Sequence, residues 1–258
     1  TSSRIIMIIG VGGVFILILM AGFWKIQQSI AKEIQLSQRQ NNFMLSVTHE
    51  LKTPLTSTQL ALQTLKKRNL NTEVRENLIA KALNANQRLS SLIDNIINAS
   101  RLESNDFTPR REIFPLNAFL QGKTEELKII YEQASIALIC EVDIINADAY
   151  MLETIFNNLL ENAIKYSDEN PKIEIIVKNK GQMTEITIAD QGVGISAQEK
   201  TQIFKKFYRV GNEISRSQKG SGLGLFITSE FVQLHKGRIK CENNNPKGTK
   251  FIIELPHG

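Results

Sequence analysis

Between Ile5 and Trp24 the chain carries no charged residue for 20 positions. A helix of that length, rising about 1.5 Å per residue, matches the roughly 30 Å hydrocarbon layer of a bilayer. The run therefore predicts a transmembrane helix in residues 1–25. Arg4 closes one end, Trp24 and Lys25 stand at the other as interfacial anchors, and Lys32 and Arg39 follow. A secretory signal would have a shorter apolar core, and a buried core helix would carry a polar face. Thr1 in place of an initiating Met makes a preceding segment an expectation.

After Lys25 neither Gly nor Pro interrupts the chain until Pro54, and Ile26, Ile30 and Ile34 continue an apolar stripe. The membrane helix is thus expected to run on into the next stretch, FMLSVTHELKTPLT, from Phe43 to Thr56. There Phe43, Val47 and Leu51 recur every four residues, with Met44 and Leu55 widening the inward stripe, which leaves His49 on the polar face. Only three histidines occur in the chain, and this one has Glu50 beside it. A neutral imidazole is a competent nucleophile near pH 7, and an adjacent carboxylate can hold or accept its proton. Pro54 removes an amide donor and crowds the Glu50 carbonyl, so the helix is expected to kink or loosen within a turn of His49.

The pattern breaks near 66–73, where Asn71 or Thr72 can cap a second helix. Leu78, Ala82, Ala85, Leu89, Leu92, Ile96 and Ala99 then alternate steps of four and three, the seam of a helical bundle. Two helices alone bury little, so residues 26–104 are expected to form a hairpin that pairs with a second copy as a homodimeric four-helix bundle. Residues 105–115, with two prolines, read as a linker, and 116–258 as a separate domain. Lys and Arg number 31 against 26 Asp and Glu, a net +5 without a basic run interleaved with aromatics, which argues against nucleic acid as a partner. Cys140 and Cys241 lie in apolar surroundings and read as reduced, buried thiols, and no Cys or His cluster has metal-ligand spacing.

The last domain alternates helix and strand: a helix capped by Asn117, a strand over 136–142, a helix capped by Asp148 and running through Tyr166, strands over 172–178 and 185–189, a helix after Gly222, and strands over 237–242 and 249–255. This predicts an α+β fold, helices layered on one face of a mainly antiparallel sheet. Four clusters carry chemistry. Asn158 and Asn162 share a helix face, with Lys165 and Tyr166 in the next turn; amide oxygens suit Mg²⁺ and a lysine suits phosphate. Asp190, Gly192 and Gly194 follow a strand, presenting a carboxylate beside glycines that let a flat ring approach. Gly220, Gly222, Leu223 and Gly224 precede an apolar helix, where free N–H groups favour phosphate, without the Gly-Lys-Ser/Thr of a P-loop. Arg209 ends the run IFKKFYR and is placed to reach a γ-phosphate, while the polar run 211–219 is expected to act as a lid.

Taken in order, these stretches resemble the sensor histidine kinases of bacterial two-component systems over about Phe43 to Pro256. His49 to Leu55 (HELKTPL) looks like the phosphoacceptor box, Asn158 to Ser167 (NLLENAIKYS) like the N box, and Asp190 to Gly194, Phe204 to Arg209 and Gly220 to Leu225 like the remaining nucleotide boxes. The resemblance implies a dimeric helical hairpin followed by a two-layer Bergerat-type ATP-binding domain, with ATP and Mg²⁺ as cofactors. It implies that His49 is phosphorylated, that Glu50 assists as acid or base, and that Thr53 positions water for dephosphorylating the partner. Asn162 and Asn158 would hold Mg²⁺, Lys165 and Arg209 the phosphates, Tyr166 would flank the nucleotide and Asp190 would read adenine. Gly192, Gly194, Gly220, Gly222, Leu223 and Gly224 would shape pocket and lid. The partner implied is a response-regulator receiver domain, and the place a bacterial plasma membrane with the catalytic part cytoplasmic. A hydrolysing ATPase of the same superfamily would need a carboxylate where Asn158 stands; a silent nucleotide-binding membrane scaffold would not need His49, Asn162 and Asp190 intact.

Overall fold

A computed structural model describes residues 2–67, 70–104, 107–210 and 221–256, except for the side chains of 2–11, 14, 15 and 39. The chain divides into two compact units, Thr1–Leu45 and Ser46–Gly258. Helix α1 (Ser2–Leu65) is continuous, as the absence of Gly and Pro after Lys25 predicts. Pro54 lies inside it without ending it, and the Thr53 hydroxyl donates to the His49 carbonyl at 3.0 Å. Among the described residues no helix is long and apolar enough to cross a membrane. Part of the expected span Ile5–Trp24 has its side chains outside the described ones, and among the rest Ile16 to Met20, Phe23 and Trp24 are all exposed.

In the second unit α1 and α2 (Thr72–Glu103) form the helical hairpin. Asn71 caps α2 by accepting from the Val74 N–H at 2.8 Å. Every residue of the α2 seam is buried or half-buried, and on α1 Val47 and Ala61 are buried. Two stripe residues depart from expectation: Met44 and Leu55 are 59% exposed, because the stripe facing inward is narrower than the apolar composition of the helix.

The rest of this unit is α+β, as predicted. A five-stranded sheet, order β2-β4-β5-β7-β6, comprises β2 (Ser135–Cys140), β4 (Lys172–Lys180), β5 (Met183–Asp190), β6 (Arg238–Asn243) and β7 (Thr249–Pro256). Its pairs are antiparallel except β2 with β4, which the helix Ala149–Lys165 connects as a crossover. Ile173, Ile175 and Val177 alternate on β4, as do Ile186 and Ile188 on β5, and all are buried. The core they share with α3 (Leu116–Ile130), α4 (Ala149–Lys165) and α5 (Gly224–Leu234) includes Leu120, Leu152, Phe156, Leu159 and Phe231, each fully buried. Three details differ from the sequence reading. Helix α3 is preceded by Pro115 rather than capped by Asn117, whose amide instead bonds the Asp143 carboxylate at 3.0 Å. The end of the expected linker forms β1 (Glu112–Phe114), antiparallel to β3 (Ile145–Ala147), strands too short to show a period. Cys140 is half-buried rather than buried.

The domain also closes onto the hairpin. Asn98, buried on α2, exchanges two hydrogen bonds with the Tyr150 hydroxyl, at 2.7 and 3.0 Å, while Lys206 pairs with Glu103 at 2.5 Å. Phe107 packs edge-on against Phe231 beneath the Arg101 guanidinium.

Candidate functional site

Asp190 ends β5 in the centre of the sheet and is 4% exposed. Its Oδ1 accepts from the backbone N–H of Gly192 at 2.8 Å and of Thr249 at 3.1 Å, and its carbonyl from Asn244 Nδ2 at 2.7 Å. Its other oxygen, Oδ2, makes no bond within the described chain. Burial pushes the carboxyl above the usual aspartate range, and the two amides pull it partly back. The result is a fixed acceptor that gains from a donor arriving at Oδ2.

Two glycines permit this packing. A β-carbon on Gly192 would lie 2.2 Å from the Tyr166 carbonyl, and one on Gly248 would lie 2.0 Å from the carbonyl of Asp190 itself. Tyr166 therefore abuts the Asp190 loop through its backbone, its carbonyl accepting from Val193 at 3.1 Å. Gly194 lies just beyond, and Lys165 holds its ammonium 5.0 Å from the Tyr166 ring centroid.

Asn158, buried on α4, donates to the Gly224 carbonyl at 3.2 Å and lies within 3.5 Å of Thr228 Oγ1, tying α4 to the start of α5. Its Oδ1 and the whole amide of half-buried Asn162 make no hydrogen bond within the described chain. Hard, neutral oxygens left without partners on one helix face fit Mg²⁺ held together with phosphate oxygens. Among the described residues no His, Cys, Asp and Glu cluster offers a cage made by protein alone. Leu223 is fully buried, so its side chain belongs to the core and only its backbone is left to line the site. Gly220 and the lid run 211–219 lie outside the described residues.

Gly222, two residues before α5, packs against the arginine run. Its carbonyl accepts from the Phe207 N–H at 3.1 Å, and a β-carbon there would meet the Tyr208 carbonyl at 2.9 Å and Arg209 Cγ at 3.3 Å. Arg209 in turn donates from Nη1 to Ser46 Oγ at 2.9 Å. Ser46 lies three residues before His49, hence on the same side of α1. The His49 ring is exposed and makes no bond within the described chain, Glu50 is half-buried, and Thr53 is occupied with the His49 carbonyl. The structure thus brings Asp190, Gly192 and the Tyr166 backbone into contact, ties Asn158 to Gly224, and leads from Gly222 through Arg209 to the histidine helix.

Sequence reasoning missed Thr249, Gly248, Asn244 and Ser46. The run NNNPKG signals a turn, but the register that returns Thr249 to Asp190 is a long-range pairing no local pattern encodes. Nothing in the sequence marks Ser46.

The phospho-acceptor domain family, His Kinase A, matches residues 39–105, and the family described as histidine kinase-, DNA gyrase B- and HSP90-like ATPase matches residues 147–258. The sensor protein SrrB of Staphylococcus aureus is 29% identical over 238 residues, 89% of this chain but 40% of that protein, so the chain spans well under half the length of such relatives. The mycobacterial sensor histidine kinase MprB superposes with a TM-score of 0.51 at 26% identity, over 57% of this chain and 97% of that one. The histidine kinase AdeS of Acinetobacter baumannii gives 0.59 at 23% identity, over 81% and 98%. With a phospho-acceptor hairpin followed by an ATPase domain of the histidine-kinase type, the chain belongs to the sensor histidine kinases.

Proposed function

We propose that the chain is the kinase portion of a membrane-anchored sensor that phosphorylates its own His49 from Mg²⁺-ATP and passes the phosphoryl group to an aspartate of a response regulator. The observation that carries this reading is the bond from Arg209 to Ser46, one turn from the exposed His49 ring, made by an arginine whose segment rests on Gly222 of the nucleotide pocket. Asp190 Oδ2 accepts the adenine amino group, Tyr166 flanks the base, and Lys165 and Arg209 meet the phosphates. Gly194 shapes the pocket, and Gly220, Gly222 and Gly224 shape the lid, with N–H groups at the start of α5 facing the phosphates. Asn162 and Asn158 would hold Mg²⁺, which when bound offsets phosphate charge.

The neutral His49 imidazole attacks the γ-phosphorus. A P–N bond forms, the bond to the β-phosphate oxygen breaks, ADP departs with the electron pair, and Glu50 takes the imidazole proton. Little covalent chemistry is asked of the protein, so catalysis is positioning and charge stabilisation. Dephosphorylation of the regulator would use Thr53 once its hydroxyl leaves the His49 carbonyl.

The domains in this reading are a membrane helix over 1–25, the signalling helix and hairpin over 26–104, a linker over 105–115 and the ATP-binding domain over 116–258. The uncharged run Ile5–Trp24 supports a bacterial plasma-membrane anchor with the catalytic part cytoplasmic. Exposed Leu60, Leu62, Ile79, Leu83, Ile93 and Ile97 on the hairpin support its pairing with a second copy.

Labelled ATP and Mg²⁺ should yield an acid-labile, alkali-stable label on wild type and none on His49→Gln. Equal labelling of both would refute the assignment.

A further inference from the structure

The sheet ends on one side in an edge that its sequence leaves unguarded. Ser135 and Glu141 donate to Pro171 and Val177, at 2.8 and 3.0 Å, so the odd positions of β2 face β4. Ile136, Leu138 and Cys140 therefore turn their N–H and C=O groups outward, where no strand follows β2 and no backbone bond reaches them among the described residues. The far edge, β6, is different: Arg238 pairs with Glu254 at 3.7 Å and Lys240 with Glu242 at 2.8 Å, the charges that ordinarily deter strand addition. β2, SIALIC, has neither charge nor proline.

Beside this edge α3 and β2 flank a largely polar cavity of about 370 Å³ lined by Asn117, Gln121, Thr124, Glu125, Lys128, Leu138 and Cys140. On the other face of β2 Ile139 stands 51% exposed, and on α3 Ile129 and Ile130 are 78% and 59% exposed. Glu125 is offset by Lys128 at 3.6 Å, but Glu141 and Asp143, just past the strand, have no basic partner among the described residues. A second copy pairing antiparallel through β2 would bring its Glu132 toward those same acids, which disfavours self-association here.

We infer that β2 is a docking edge for an extended segment of another protein, with apolar residues at alternate positions and lysine or arginine facing Glu141 and Asp143. Outward amides supply backbone hydrogen bonds, the apolar side chains cover Ile139 on one face, and those between them meet the α3 cavity on the other.

Residue-resolved amide hydrogen exchange on the full chain tests this with an octapeptide of alternating valine and threonine ending in two lysines, against the same peptide ending in two glutamates. The lysine peptide should slow exchange at Ile136, Leu138 and Cys140 by about tenfold or more. The glutamate peptide should not, and Ile139→Lys should abolish the effect while nucleotide binding stays unchanged. Unaltered exchange with the lysine peptide, equal protection by both peptides, or protection that rises with protein concentration alone would each overturn the inference.

Discussion

At the scale of single residues, two buried titratable groups do opposite work. Asp190 is lifted by burial, so its folded carboxyl protonates at a pH where an unfolded one is still ionised. In the proposed function Asp190 accepts from adenine in its ionised form, and affinity should therefore fall with acidification above the ordinary aspartate range. Replacing Asp190 with Asn should cost on the order of tenfold to a hundredfold in affinity, read by calorimetry, because a charge-assisted bond is lost. His235 is 2% exposed at the end of α5; its Nε2 accepts from the Asp148 N–H at 3.0 Å, so Nδ1 carries the proton and donates to the Phe231 carbonyl at 2.8 Å. Burial, reinforced by Arg111, holds its pKa below the ordinary 6.5, against the weaker pull of that carbonyl and Asp148. A base depressed in the folded state stabilises above the unfolded pKa and ceases to do so as pH falls through it. Urea midpoints should thus drop between about pH 7 and pH 5.5, and His235→Asn should flatten that slope. Asp190 was legible because a carboxylate followed by two spaced glycines stands at a strand end. His235 was not, since its role depends on Asp148, 87 residues away.

At the scale of elements, the candidate site draws on four of them: the end of β5, the C-terminal part of α4, the start of α5 and the start of β7. Their periodicities and caps were readable, Asp148 and Asn71 included, because caps and apolar spacing act within a turn. Their register was not, and the glycines carry it. Gly192→Ala should destabilise the domain by about 1–3 kcal/mol and weaken nucleotide binding, measured by denaturant melts and titration, because its β-carbon has no room beside Tyr166. The junction of α2 with the domain makes a second prediction. Tyr150→Phe strands the buried Asn98 amide and should cost about 1–3 kcal/mol, whereas the double replacement with Asn98→Leu should cost less than Tyr150→Phe alone.

At the scale of the whole molecule, a phospho-acceptor hairpin and an ATPase domain matter only if one can hand a group to the other. The sequence supplied the parts in order, from HELKTPL to the glycine run, but not the contact that relates them, since Arg209 and Ser46 are 163 positions apart. That bond holds the arginine segment against the histidine helix, and the Lys206–Glu103 pair holds the same segment to α2. The most direct test is mass-spectrometric mapping of the phosphoryl group after alkaline work-up of the Mg²⁺-ATP reaction. The account predicts phosphate on His49 in the wild type and on no residue of Asp190→Ala; phosphate on a different residue, or undiminished His49 phosphorylation in Asp190→Ala, would contradict it.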